Sequence, residues 1–173
     1  MIAFFAIVFG IVYLDQLTKW LAVIFLKGEE SAVFIKGVLQ FTYMENEGAA
    51  FGMLSNHRWV FLVISTISII GIIIYMIKWR PKSKLAFVAI SFIVGGGIGN
   101  MVDRIWLGYV VDFIDFCAFP SIWKYIFNVA DSFVCVGAGL LMLYMILSTI
   151  DETKAEKLKK STANEKENID DGE

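Results

Sequence analysis

The sequence has few of the residues that build metal sites and disulfide frameworks, with two cysteines and one histidine in 173 residues. Cys117 and Cys135 form no CxxC pair, so neither a disulfide framework nor a zinc site is indicated. With only His57 and no GxSxG motif, a Ser/His/Asp hydrolase is hard to assemble. A cysteine nucleophile would need His57 beside Cys117, and a Ser/Lys dyad would need a serine near Lys19, which the sequence does not supply.

Charge is also scarce. Charged residues make up 18% of the chain, hydrophobic residues make up 58%, and the mean hydropathy is +0.69. This composition lies outside the range of soluble domains and predicts a membrane protein. The formal net charge is -2 and no basic stripe is present, so no nucleic-acid partner is expected.

Four apolar stretches are long enough for membrane helices, since a bilayer core of about 30 Å needs about 20 apolar residues per span. No Lys or Arg precedes Lys19 and no small-residue cleavage site follows the first stretch, which predicts a retained helix rather than a cleaved signal peptide. The fold class predicted is a mainly α membrane protein with four transmembrane helices. The helices are predicted over 2–26, 59–77, 85–102 and 126–150.

Basic residues set the predicted orientation. The connection after the second helix and the stretch after the fourth are rich in Lys and Arg, which predicts that both are cytoplasmic and that both termini lie inside. The outer face then carries a segment over 103–125 and, over 32–56, a small β-element that shows alternating apolar residues. Residues 1–150 form one membrane domain, and the charged stretch 151–173 is predicted to be a disordered cytoplasmic tail.

In this orientation the polar residues of the helices converge on one depth near the outer surface. Asp15 lies about 20 Å along the first helix, Asp103 and Arg104 end the third, and Asp131 lies within about two turns of the start of the fourth. Intramembrane charges usually mark a site, although Asp15 with Lys19 at i,i+4, and Asp103 with Arg104, are equally explained as ion pairs.

Asp112 and Asp131 differ from these acids because they lie in the apolar runs "YVVDFIDF" and "FNVADSFV" without a close basic residue. An unpaired carboxylate in such surroundings is costly when ionised, which favours a functional role. A proton-coupled transporter or channel remains an alternative, but its polar groups should occur at several depths. A structural scaffold would leave both carboxylates without partners.

Five motifs carry a resemblance to a known family: "DQLTK" at 15–19, "NEGAAFG" at 46–52, "GGGIGNMVDR" at 95–104, "GYVVDF" at 108–113 and "FNVADS" at 127–132. In this order they resemble lipoprotein signal peptidase, also called signal peptidase II. The resemblance implies an aspartic endopeptidase of the bacterial inner membrane, with its active site at the outer leaflet and a small extracytoplasmic β-element. The implied substrate is a diacylglyceryl-modified prolipoprotein, cut just before the lipid-bearing cysteine.

Carried over by motif, the catalytic pair is Asp112 and Asp131, while Asp115 is not a motif residue. The resemblance implies no metal and no cofactor, with membrane lipid and prolipoproteins as partners; the oligomeric state stays open, with a monomer favoured. Two carboxylates in a low-dielectric site share a proton, so one acts as general base and the other as general acid. Substrate-binding residues are then Asn46, Gly48, Asn100, Arg104 and Asn128, and structural support comes from Asp15, Lys19 and Asp103.

Overall fold

The computed structural model describes residues 1–48, 58–119 and 125–170, with side chains other than those of 58, 61 and 156–170. Four helices and four short strands make up this part of the chain, which confirms the mainly α membrane fold with a small antiparallel sheet. Their order is α1 (Ile2–Leu26), β1 (Ala32–Ile35), β2 (Leu39–Asn46), α2 (Arg58–Trp79), α3 (Lys84–Trp106), β3 (Val110–Phe116), β4 (Ile126–Phe127) and α4 (Val129–Asp170).

Each of the four helices contains a stretch that is long and apolar enough to cross a membrane. Many large apolar side chains of α1, α2 and α4 are exposed on the protein surface, as expected for helices whose solvent is lipid, whereas α3 is the most buried of the four. The interior cluster joins α1, α2 and α3 through Phe4, Val8, Ile69, Met76 and Val94. The helices therefore form a bundle with apolar sides and an apolar centre.

Helix α3 lies against both α1 and α4, and its glycines permit the close approach. A Cβ on Gly95 would lie 2.9 Å from the Cβ of Ile11, and one on Gly96 would collide with the carbonyl oxygen of Ala130. Small residues at these positions thus permit close helix packing. The same approach brings the start of α4 onto the outer end of α3.

The four strands form one antiparallel sheet in the order β1-β2-β3-β4. In the central pair Met44 lies opposite Asp112, and the short β4 pairs Phe127 with Ile114. Val111 and Phe113 pack on Ala22, so the sheet rests on the C-terminal part of α1. This confirms a β-element within 32–46, while residues 49–56 of the predicted range lie outside the described residues.

Three predicted boundaries differ from the structure. Helix α3 continues to Trp106 rather than 102, so Asp103 and Arg104 lie in its last turns. Helix α4 begins at Val129 rather than 126, because residues 126–127 pair with β3 instead. Helix α4 also continues to Asp170, where the sequence predicts disorder. Glu and Lys make up nine of the twenty residues 151–170, and both have high intrinsic helix propensity.

Candidate active site

Asp112 lies on β3, where the sheet holds its carboxylate between two asparagines. Its side chain is 1% exposed. Asn46 on the paired strand β2 donates from Nδ2 to Oδ2 at 2.8 Å, and Asn128 donates from Nδ2 to Oδ1 at 2.6 Å. Both carboxylate oxygens are therefore fixed in place by donors from different elements.

Asp131 lies in the first turn of α4 and takes part in a reciprocal cap. The Oδ1 of Asn128 accepts from the backbone N–H of Asp131 at 2.9 Å, and Oδ2 of Asp131 accepts from the backbone N–H of Asn128 at 3.3 Å. This is the capping-box arrangement, with an aspartate at its third helical position. The second oxygen, Oδ1, accepts from Nδ2 of Asn100 at 2.7 Å.

Asn128 is fully buried and connects the two carboxylates. Its amide nitrogen contacts Asp112, and its amide oxygen holds the backbone of Asp131. The same nitrogen also lies 3.0 Å from Oδ1 of Asn100, the residue whose own nitrogen holds the Asp131 carboxylate. One asparagine thus fixes the position of β3 relative to the start of α4.

Lys19 is the cation of a buried network that adjoins Asp112 and Asp131. Its Nζ lies 2.8 Å from Asp15, 3.0 Å from Asp103 and 2.9 Å from Oδ1 of Asn100, so all three ammonium donors have partners. The predicted i,i+4 pair with Asp15 is present. Asp103 pairs with Lys19 of α1 and not with its sequence neighbour Arg104.

The two supporting acids each hold the backbone next to one member of the pair. Asp15 accepts through Oδ1 from the N–H of Ala130 at 2.9 Å, at the electropositive N-terminus of α4. Asp103 accepts through Oδ2 from the N–H of Val111 at 3.1 Å. Asp15 therefore holds the backbone of the residue before Asp131, and Asp103 holds the backbone of the residue before Asp112.

Arg104 joins α3 to the segment after β2. Its guanidinium donates to the carbonyl oxygens of Asn100 and Gly48, each at 3.2 Å, and the N–H of Gly48 donates to Oδ1 of Asn46 at 3.1 Å. Arg104 also interacts electrostatically with Asp112 and Asp131. It supplies positive charge beside the pair while it fixes the segment that follows Asn46.

Burial raises the pKa of Asp112 from its ordinary 3.8 to about 6, and the negative charge of Asp131 adds to the rise. The hydrogen bonds from Asn46 and Asn128 oppose it because they favour the ionised form. The cluster as a whole has more carboxylates than cations. Its acids are Asp15, Asp103, Asp112 and Asp131, and its bases are Lys19 and Arg104. A proton retained by the pair reduces the excess negative charge.

Asp115 lies outside this cluster. Side chains alternate between the two faces of a strand, so residues 112 and 115 belong to opposite faces of β3. Its carboxylate accepts from Nε2 of Gln40 at 2.6 Å and from the hydroxyl of Thr42 at 3.3 Å. His57 lies outside the described residues. Among the residues whose side chains the structure describes, no three of His, Cys, Asp and Glu come together as a candidate metal site.

One residue of the network has no role assigned by sequence reasoning. Gln16 donates from Nε2 to Oδ1 of Asp103 at 2.8 Å and lies 3.2 Å from the carbonyl oxygen of Gly99. It joins α1 to α3 beside Lys19. Its position inside "DQLTK", directly after Asp15, is the signal that sequence analysis had available.

Comparison with known proteins agrees with this geometry. The model of the family described as signal peptidase (SPase) II matches residues 7–147. The chain belongs to the signal peptidase II family. It is therefore a peptidase, and its four apolar helices make it a multi-pass membrane protein.

Relatives resemble this signal peptidase II family member over most of its length. The lipoprotein signal peptidase of Halalkalibacterium halodurans is 44% identical over 156 residues, which cover 90% of this chain and 97% of that protein. That of Caldanaerobacter subterraneus subsp. tengcongensis is 49% identical over 140 residues, covering 81% and 93%. A solved bacterial membrane enzyme has a TM-score of 0.79 at 34% identity, covering 86% of this chain and 90% of the other.

Proposed function

We propose that this chain is an aspartic endopeptidase that removes the signal peptide from diacylglyceryl-modified prolipoproteins. It cleaves just before the lipid-modified cysteine, with Asp112 and Asp131 as the catalytic pair. The observation that carries the proposal is the asparagine that holds both: Asn128 bonds the carboxylate of Asp112 and caps the backbone of Asp131. Family membership supports the reaction class, and this geometry supports the choice of residues.

In the proposed reaction Asp112 carries the shared proton, in keeping with its raised pKa of about 6. Ionised Asp131 removes a proton from a water, whose oxygen attacks the scissile carbonyl carbon, while Asp112 donates its proton to the carbonyl oxygen. When the tetrahedral intermediate collapses, a hydroxyl proton returns to Asp112. Asp131 then gives its proton to the leaving amine as the C–N bond breaks, and both groups return to their starting states.

The neighbouring residues divide into two roles in this proposal. Asn100 and Asn128 orient the carboxylates, since their amide groups are already bonded to the pair. Arg104 and Gly48 lie at the border of the cluster and contact each other through the Gly48 carbonyl oxygen. We assign these two residues to the peptide, where the half-buried cation of Arg104 opposes charge on the tetrahedral oxygen. Asn46 borders both groups, since its amide nitrogen bonds Asp112 and its amide oxygen bonds Gly48.

The depth of the site suits a lipid-anchored substrate. Asp131 lies at the start of α4 and Asp103 at the end of α3, and the basic connection at the other end of the bundle supports an outer location for these ends. A diacylglyceryl anchor holds its cysteine near that interface, because each buried CH₂ contributes about 0.8 kcal/mol to membrane attachment. The bond before the cysteine then lies at the depth of the two carboxylates.

Purified protein in lipid or detergent tests the substrate assignment with two forms of one prolipoprotein, with and without the diacylglyceryl group. We expect mass spectrometry to show a product whose N-terminus is the lipid-bearing cysteine, and cleavage of the unlipidated form to be far slower. Equal rates for the two forms would contradict the role of the anchor. A cut elsewhere in the chain would contradict the proposed cleavage position.

A further inference from the structure

The hairpin at the edge of the outer sheet exposes an apolar surface that the peptidase site does not use. We define its apolar tip as Val33, Phe34, Ile35 and Val38, whose exposed fractions are 63%, 67%, 48% and 36%. Every residue of β1 is exposed, so both faces of this edge strand lack a cover within the described chain. A contiguous exposed apolar surface of this kind marks a contact with a partner or a membrane.

The chain geometry keeps this tip close to the membrane. Helix α1 ends at Leu26 and β1 begins at Ala32, a span of at most about 20 Å even if fully extended. A turn between Leu26 and Glu29, closed by a backbone hydrogen bond of 3.2 Å, shortens it further. The sheet also packs directly on Ala22 near the outer end of α1. The hairpin is thus held at the level of the bilayer interface.

The tip is continuous with a surface that already faces lipid. The outer part of α1 exposes Trp20, Leu21, Ile24 and Phe25. From the tip, Phe34 contacts Phe41, with ring centroids 5.9 Å apart, and Phe41 contacts Phe113 in the cluster that rests on α1.

Charge at the tip also suits a membrane rather than a protein partner with a polar surface. Lys36 is the single charged residue in 32–38. A lysine can bury its aliphatic stem along apolar groups while its ammonium remains among lipid headgroups. A hairpin tip without acidic residues and with one lysine, Lys36, meets the conditions for insertion at the interface.

We propose that the apolar tip inserts into the interfacial region of the outer leaflet, with lipid as its occupant. The hairpin then anchors the sheet, in addition to the spanning helices. Because β2 continues from this hairpin to Asn46 and pairs with β3, the insertion fixes the depth of the strand that bears Asp112. The proposal does not depend on which residues are catalytic.

Site-directed spin labelling tests it in vesicles of phosphatidylethanolamine and phosphatidylglycerol. The labels are attached at Phe34→Cys and, as a second site on the other strand face, Val33→Cys, in a chain with Cys117→Ser and Cys135→Ala. Glu30→Cys, an exposed polar position just before β1, is the matched control. Full-length protein that elutes as a single species and still cleaves a prolipoprotein is used, and if one tip variant misfolds the other is measured.

We expect tip labels to collide often with oxygen and rarely with a water-soluble nickel chelate, while the label at residue 30 collides freely with the chelate. Equal access of the chelate to both positions would place the tip in water and overturn the proposal. Low collision with both reagents would indicate a protein cover, and so would overturn it. Dipolar coupling between labels of two molecules would identify a second copy at the β1 edge and would also overturn it.

Discussion

The hydrogen bond from Asn46 to Asp112 should set the upper pH limit of activity. If Asp112 holds the shared proton, kcat/KM falls as pH rises through its pKa of about 6. The Asn46 amide lies 2.8 Å from Oδ2 and favours the ionised form. Its removal in Asn46→Leu raises the pKa of Asp112 and moves the falling limb to higher pH.

The size of this shift follows from the contact. A hydrogen bond to a charged group contributes about 1.5–3 kcal/mol. One pKa unit corresponds to about 1.4 kcal/mol, so the limb should move up by about one to two pH units. The assay is the initial rate of prolipoprotein cleavage at low substrate concentration between pH 5 and 9. The full profile distinguishes a shift of the falling limb along the pH axis from a uniform change in rate at every pH.

A matched variant makes this result specific. Gln40→Leu removes a similar amide donor, 2.6 Å from the carboxylate of Asp115, in the same sheet but outside the cluster. We expect its pH profile to match that of the wild type. An unmoved limb in Asn46→Leu, or a limb at lower pH, would refute the assignment of the proton to Asp112.

Three further predictions concern the support of the pair. Gly99→Ala places a Cβ 2.6 Å from a carboxylate oxygen of the first helix, so cleavage should fall at least about tenfold, whereas Gly10→Ala, with open space around it, should retain activity in the same assay. Lys19→Met leaves two buried carboxylates without their cation and should lower the free energy of unfolding by about 3–5 kcal/mol, as measured by thermal unfolding in detergent. Lys27→Met removes a solvent-exposed ion pair and should leave the melting temperature close to that of the wild type. The pKa of Asp112 is higher in the folded chain than its ordinary 3.8, so the protonated carboxyl contributes to the free energy of unfolding. This contribution is fully present below pH 3.8, and its loss as pH rises through 6 should lower the free energy of unfolding by about 3 kcal/mol. Asp112→Asn should lack this loss, and an equal pH dependence of the melting temperature in the variant and the wild type would contradict it.

The membrane architecture could be predicted from the sequence because its causes are local. Apolar length identifies a span, and the position of Lys and Arg indicates the cytoplasmic side. Boundaries were less accurate where tertiary contacts decide them. Ile126 and Phe127 continue an apolar run, yet they pair with β3, and only the cap at Asn128 starts the helix.

The depth of the polar residues, together with the motifs, predicted which side chains meet but not how they meet. Asp15 and Ala130 are 115 positions apart, and no periodicity within either segment reveals that the backbone N–H of Ala130 donates to the carboxylate of Asp15. The same holds for Asp103 and Val111, where a backbone donor rather than a side chain is the partner. Sequence patterns identify side chains, whereas these contacts depend on how helices and strands dock.

The central claim is that Asp112 and Asp131 act together, and prolipoprotein cleavage by single variants tests it most directly. Asp115→Asn is the matched control, since this carboxylate lies on the same strand and bonds Gln40 and Thr42 instead. With folding verified by thermal unfolding, we expect Asp112→Asn and Asp131→Asn to abolish cleavage and Asp115→Asn to retain it. Full activity in either of the first two variants would contradict the catalytic pair.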